Sequence, residues 1–155
     1  MYTWQLLRRW IDYDELQRGA VVVATWKLLK AYTELRTRSI DAILAELSAP
    51  QPSEVAQGPT PESSFDPRRA AWAIDVAARH LPWRSDCLVK TLAAFRWLRR
   101  HGFAPRLHLG VRKSERQPTV LEAHAWLTLG ESVFMESDVN FIDQFSPIWQ
   151  PTNMG

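Results

Sequence analysis

The chain has 155 residues, a length that suits one domain with enough apolar side chains for a real core. Its formal net charge of +2 comes from dispersed Lys and Arg among many carboxylates, which is too weak a bias to argue for nucleic acid. A single cysteine excludes an internal disulfide framework and a multi-cysteine zinc site, and the sequence offers no other metal-ligand set or cofactor motif.

The opening MYTWQLLRRWIDYDE lacks the apolar run and small-residue cleavage site of a signal peptide. The most apolar run, Ala20 to Trp26, is far shorter than the roughly 20 residues a membrane span requires. A cytoplasmic chain with a reduced thiol is therefore expected. Asp12 with Glu15 suits a capping box, followed by a helix to about Leu35 with Leu16, Val23, Trp26, Leu29 and Tyr32 as its apolar positions. Ser39 suits the cap of a shorter helix carrying Ile40, Ile43, Leu44 and Leu47, ended by Pro50. The Pro-, Ser- and Gln-rich stretch 49–65 reads as a linker or mobile loop. It divides a helical part, 1–48, from an α+β part, 66–155.

Asp66-Pro67 pairs a cap with a first-turn proline and opens a helix over 67–80, with Ala70, Ile74, Ala77 and Ala78 at helical spacing. Asp86 or Ser85 then caps a second helix that starts at Cys87. Leu88, Leu92, Phe95 and Leu98 form its stripe, and Gly102 takes the left-handed position after its end. Beyond Gly102 the period changes to two. Leu107, Leu109 and Val111 alternate with Arg106, His108 and Gly110, and Ala123, Ala125 and Leu127 with His124, Trp126 and Thr128. With Val133 to Glu136 after a turn at Gly130, these predict three short antiparallel strands.

Cys87 is expected in the first turn of its helix, where unbonded N–H groups and the positive dipole end favour a thiolate and can donate to an oxyanion. Such a thiol needs an imidazole to take its proton and a third group to orient that imidazole. His124, mid-strand and on the face opposite Ala123, Ala125 and Leu127, fits the first role. The third member follows from register. A two-residue turn at Gly130-Glu131 would put Glu136 and Asp138 on the small-apolar face. A longer loop or a bulge puts Val133 and Met135 there instead and brings Glu136 or Asp138 beside His124. The apolar pattern favours the second arrangement and leaves both acids open. Against this stands the plainer reading in which Cys87 is a small buried hydrophobe and His124 a structural strand residue.

DCLVKTLAAFRWLRRHGFAPRLHLGVRK followed by EAHAWLTLGESVFMES resembles the lasso-peptide leader peptidases of the transglutaminase-like superfamily. The resemblance rests on Cys87-Leu88 opening a helix, Leu98 to Gly102 ending it, Leu109-Gly110-Val111 on one strand and Ala123 to Trp126 on the next. It implies a papain-like core, Cys87 as nucleophile, His124 as general base and no cofactor. The family's third residue is usually an aspartate. The position judged equivalent here is Glu136, with Asp138 close behind as the alternative. The implied activity is removal of the leader from a ribosomally made precursor peptide. A separate leader-recognition protein and a macrolactam synthetase are the implied partners. Trp83, Arg84 and Trp126 are candidate substrate contacts, although turn packing accounts better for Trp83 and Arg84 and plain packing accounts equally well for Trp126. A thioester-forming acyltransferase or amidase, and a non-catalytic peptide-binding scaffold, are the rival readings.

Overall fold

A computed structural model describes residues 13–48, 65–83, 86–117, 119–135 and 139–149. The first helix, α1, spans Glu15–Thr37. Its cap is Asp14, two residues later than the expected Asp12, which lies outside the described residues. Asp14 Oδ1 accepts from Gln17 N at 2.6 Å, and Gln17 Oε1 accepts from Asp14 N at 3.1 Å. Both orphan N–H groups are thus satisfied by a box built on Gln17 rather than Glu15. The shift also lets Tyr13, just before the cap, meet Trp72 edge-on at 5.1 Å.

Helix α1 turns a different face inward from the one its larger residues suggest. Val21, Ala24, Leu28 and Ala31 are buried, whereas Leu16, Val23 and Trp26 are 67%, 40% and 56% exposed. The cause is the neighbour. Helix α3 (Pro67–His80) buries Ala70, Ala73, Ile74 and Ala77. Alanines on both helices allow close axial approach, so the small residues rather than the large ones select the contact. Helix α2 (Ile40–Ser48) follows α1, with Ser39 Oγ accepting from Ala42 N at 3.3 Å. In α3, Asp66 caps by accepting from Arg68 N at 2.9 Å, and Pro67 takes the first helical position, as expected.

Helix α4 (Cys87–Arg100) is the centre of the molecule. The expected four-residue stripe proves too narrow. Val89, Thr91, Leu92, Ala93, Ala94, Phe95, Trp97 and Leu98 are all buried, because α1 and α3 cover one side and the sheet the other. Leu92 and Leu98 meet Leu28 and Ile74 from the helical layer and Leu107 and Leu127 from the sheet in one cluster. Burial of each such side chain is worth about 1.5–3 kcal/mol. The helix ends in the left-handed residue Gly102 (φ +80°), with Gly102 N–H on Arg99 O and Phe103 N–H on Leu98 O. These two bonds close the last carbonyls, and they need a residue that adopts positive φ without strain.

The sheet is antiparallel, with strand order β3-β2-β1-β4. Strands β1 (Pro105–Lys113) and β2 (Leu121–Leu129) pair along their full length, placing Gly110 opposite His124 and Leu107 opposite Leu127. Strand β3 (Ser132–Phe134) pairs Leu129 with Ser132 and Leu127 with Phe134. This is the two-residue turn, not the shifted register that the apolar pattern favoured. Face matching is achieved differently: Met135 adopts φ +70°, the alternation breaks, and Phe134 and Met135 both pack on the helix side. The fourth strand, β4 (Ser146–Trp149), was not expected. It follows the short helix α5 (Val139–Ile142) and joins the free edge of β1. Its Pro147 cannot donate to a ladder and is tolerated because the strand is an edge. The architecture is α+β, as read from the sequence, and no described helix is long and apolar enough to cross a membrane.

Candidate active site

Cys87 is the first residue of α4. Asp86 occupies the cap position, but its side chain makes no cap bond, so it leaves the first-turn N–H groups to other partners. Ser85 lies outside the described residues. The half-buried thiol is hydrogen-bonded to the His124 imidazole and to the backbone at Leu88 and Ala125. Burial by itself pushes this thiol up. The His124 bond, the Ala125 N–H, the imidazole charge and the Leu88 N–H together outweigh burial and hold it below its ordinary value.

Ala125 serves α4 twice. Its N–H faces the sulfur, while its C=O accepts from Thr91 Oγ1 at 3.1 Å in a buried bond. N–H and C=O of one strand residue point to the same side, so both lie on the β2 edge away from β1. Thr91 is one turn along from Cys87, and its bond fixes the height of the thiol against the strand.

His124 stands among rings. Phe141 meets it edge-on at 5.2 Å, Phe145 lies at 5.3 Å and Trp126 is stacked at 6.2 Å. Phe145, Ile142 and Trp126 form a second buried cluster on the sheet face opposite α4. The Arg112 guanidinium lies 4.9 Å from the centres of both Phe141 and Phe145. Glu122 accepts from Arg112 Nε at 2.9 Å, and Gln144 also bonds it. Gly110, opposite His124 on β1, leaves the space that Phe145 and Trp126 fill. His108 continues the ring stack on Trp126 at 5.5 Å and reaches Thr128 Oγ1 at 2.9 Å; it is half-buried.

Cys87 and His124 open on a shallow cleft of about 60 Å³ with Lys90, Thr91, Ala125, Trp126, Phe134 and Met135. Asp75 holds Lys90 at 3.0 Å. A larger concavity of about 530 Å³ lies elsewhere and contains no thiol or imidazole.

Of the sequence candidates, Cys87, His124 and Trp126 come together. Trp83 does not join them: it packs on Tyr32 of α1 with ring centres 5.3 Å apart. Arg84, Glu136 and Asp138 lie outside the described residues, and the loop-length argument for an acid beside His124 falls with the observed register. Sequence reading missed Thr91, Gly110, Arg112, Phe141 and Phe145. The spacing of Thr91 from Cys87, one helical turn, was the available signal for Thr91. Among the described residues no group of three or more His, Cys, Asp or Glu converges as a metal site.

No curated protein and no solved structure matches the chain significantly. The transglutaminase-like superfamily, whose members are typically cysteine-protease-like or acyltransferase-like, is matched over residues 24–150, most of the chain and all of the geometry above. The chain belongs to the transglutaminase-like superfamily.

Proposed function

We propose that the chain is a cysteine peptidase that removes the leader from a ribosomally made lasso precursor peptide. The observation that carries this reading is the pairing of a depressed-pKa thiol at a helix start with an imidazole, across a cleft too small to enclose a ligand. Small-molecule sites are concave and measure about 300–1,000 Å³. An open notch of this kind suits a main chain laid across it.

In the proposed mechanism the Cys87 thiolate attacks the carbonyl of the last leader residue, and its electron pair forms the C–S bond. N–H groups at the start of α4 stabilise the oxyanion. His124 gives its proton to the departing amine as the C–N bond breaks, then takes one from the water that hydrolyses the thioester. Glu136, or Asp138 in its place, orients the imidazole. Trp126 contacts the peptide beside the scissile bond. Leader capture falls to a separate recognition protein in the cytoplasm, and a macrolactam synthetase uses the freed amine.

The test is an incubation of a candidate lasso precursor with the chain, with and without a leader-binding protein, read by mass spectrometry. Wild type should release leader and core, and Cys87→Ala should release neither. Cleavage by Cys87→Ala at the wild-type rate refutes the reading. Capture of the acyl group by added hydroxylamine in preference to water would favour the acyltransferase alternative.

A further inference from the structure

Helix α4 carries a second concavity near its far end. The cavity of about 530 Å³ lies between α1, α2 and α4. Arg100 is thirteen residues from Cys87, which at 1.5 Å per residue separates the two sites by about 20 Å. Six cationic side chains line the cavity: Lys27, Lys30, Arg38, Arg96, Arg99 and Arg100. Among the described residues only two acids do, Glu34 and Glu46, which leaves an excess of four positive charges in that lining where the whole chain has +2. The charge of this protein is therefore concentrated here.

The acids are already committed. Glu34 Oε1 bonds Arg38 at 2.7 Å and Arg96 at 2.6 Å, and Glu46 bonds the same two arginines at 2.7 and 3.1 Å. This closed network occupies one end. At the other end Lys27, Lys30 and Arg100 have no ion pair with any described carboxylate. Lys27 shows the consequence. Burial first, then Arg100 and Lys30, hold its ammonium below the ordinary lysine value. Like charges crowded without a counter-ion are unfavourable, and an anion relieves them.

We infer that this groove binds an acidic peptide segment in extended form, its carboxylates set against Lys27, Lys30 and Arg100. Length argues for a peptide over a lone anion: the groove runs along α1 from Lys27 to Arg38, about 16 Å, or about five extended residues at 3.3–3.6 Å each, with the acidic side chains at the Lys27 end and the remainder passing the Glu34–Glu46 network. Nucleic acid is disfavoured because the one lining ring among the described residues, Phe95, is 4% exposed beneath the Arg99 guanidinium and offers no face for a base. The site goes beyond the proposed peptidase reaction and does not depend on Cys87 chemistry.

The test uses fluorescein-labelled hexaglutamate and fluorescence anisotropy with the full chain. Binding is expected for hexaglutamate and not for hexaglutamine, weakening as salt rises. The triple variant Lys27→Gln/Lys30→Gln/Arg100→Gln should bind at least about tenfold more weakly. The double variant Lys30→Gln/Arg100→Gln changes only exposed side chains and should show an intermediate loss with an unaltered melting temperature. Equal binding by wild type and triple variant, or equal binding of hexaglutamine, overturns the site. Tighter binding of single-stranded oligothymidylate, lost in the same variants, overturns the peptide assignment in favour of nucleic acid. Displacement by inorganic phosphate at concentrations no higher than those of unlabelled hexaglutamate reduces it to a site for an isolated anion.

Discussion

Gly110→Ala is a one-methyl change that should reach the imidazole without touching it. A Cβ at this position would meet Phe145 Cβ at 2.9 Å and Trp126 Cη2 and Cζ3 at 3.0 Å, where ordinary contact begins at 3.4 Å. The neighbours must therefore move by about half an ångström. Phe145 Cβ is fixed to the backbone of a turn whose N–H bonds Ile142 O at 2.9 Å, so it cannot swing aside as a side-chain tip would. Trp126 is buried between that turn and the strand. Overpacking of this kind costs about 1–3 kcal/mol. Replacing a strand glycine by alanine returns about 0.5–1 kcal/mol of chain entropy. The difference of the two ranges is a net loss of roughly 0–2.5 kcal/mol, centred near 1 kcal/mol. For a chain of this size that lowers the melting temperature by about 2–4 °C per kcal/mol.

The second readout is the thiol. Phe145 and Trp126 both border His124, and the His124 bond helps hold the Cys87 thiol down. Displacing the rings should weaken that bond and slow alkylation of Cys87 by iodoacetamide at neutral pH. The chain has one cysteine, so intact mass reports this site alone. A variant with unchanged melting temperature and unchanged alkylation rate would refute the account of Gly110 as the seat of the aromatic cluster.

His124→Ala should move the midpoint of the pH–alkylation curve of Cys87 upward and cut the rate at pH 7 on the order of tenfold, because burial then acts on the thiol with less to oppose it. Thr91→Val removes the hydroxyl that bonds the buried Ala125 carbonyl; a thermal melt should show a loss of about 1–2 kcal/mol, and an unchanged melt would mean the bond is not made. Glu46 is held below the ordinary carboxyl value of 4.5 chiefly by its bond to Arg38, so its stabilisation is full above that value and is lost as pH falls through the lower folded value. Glu46→Gln should accordingly lower the melting temperature at pH 7 and make little difference at pH 2.

Elements with one dominant local signal were legible in the sequence. Asp66-Pro67 opens a helix, Gly102 ends one, and the alternation through Leu107 and Ala125 marks strands facing a helix. What was hidden depends on which neighbour arrives. The contact face of α1 follows Ala24 and Ala31 because α3 presents alanines, and no property of α1 alone says so. The β3 register failed for a different reason. Matching Val133 and Met135 to the core face assumed unbroken alternation, and the left-handed backbone at Met135 breaks it. Strand β4 carries Pro147, which argues against a strand unless an edge is known to be free. The aromatic setting of His124 comes from Phe141 on α5 and Phe145 just beyond it, which the chain brings back across the sheet only after β3.

The broken alternation bears on how the thiol reaches its partner. His124 shares a sheet face with Trp126, and helix α4 packs on the other face. A nucleophile on the helix should not meet a side chain that points away from it. It does so because β3 stops at Phe134, paired no further along β2 than Leu127. Ahead of Leu127, the edge of β2 away from β1 pairs with no described strand. Ala125 presents its N–H and C=O there, and α4 uses both through Cys87 and Thr91. The helix start thus stands at an open edge of the sheet, where a side chain on either face is within reach. A β3 continued straight past Phe134 would pair with Ala125 and occupy both of those groups. The left-handed Met135 is therefore as much a condition of the Cys87–His124 contact as the helix that carries the thiol.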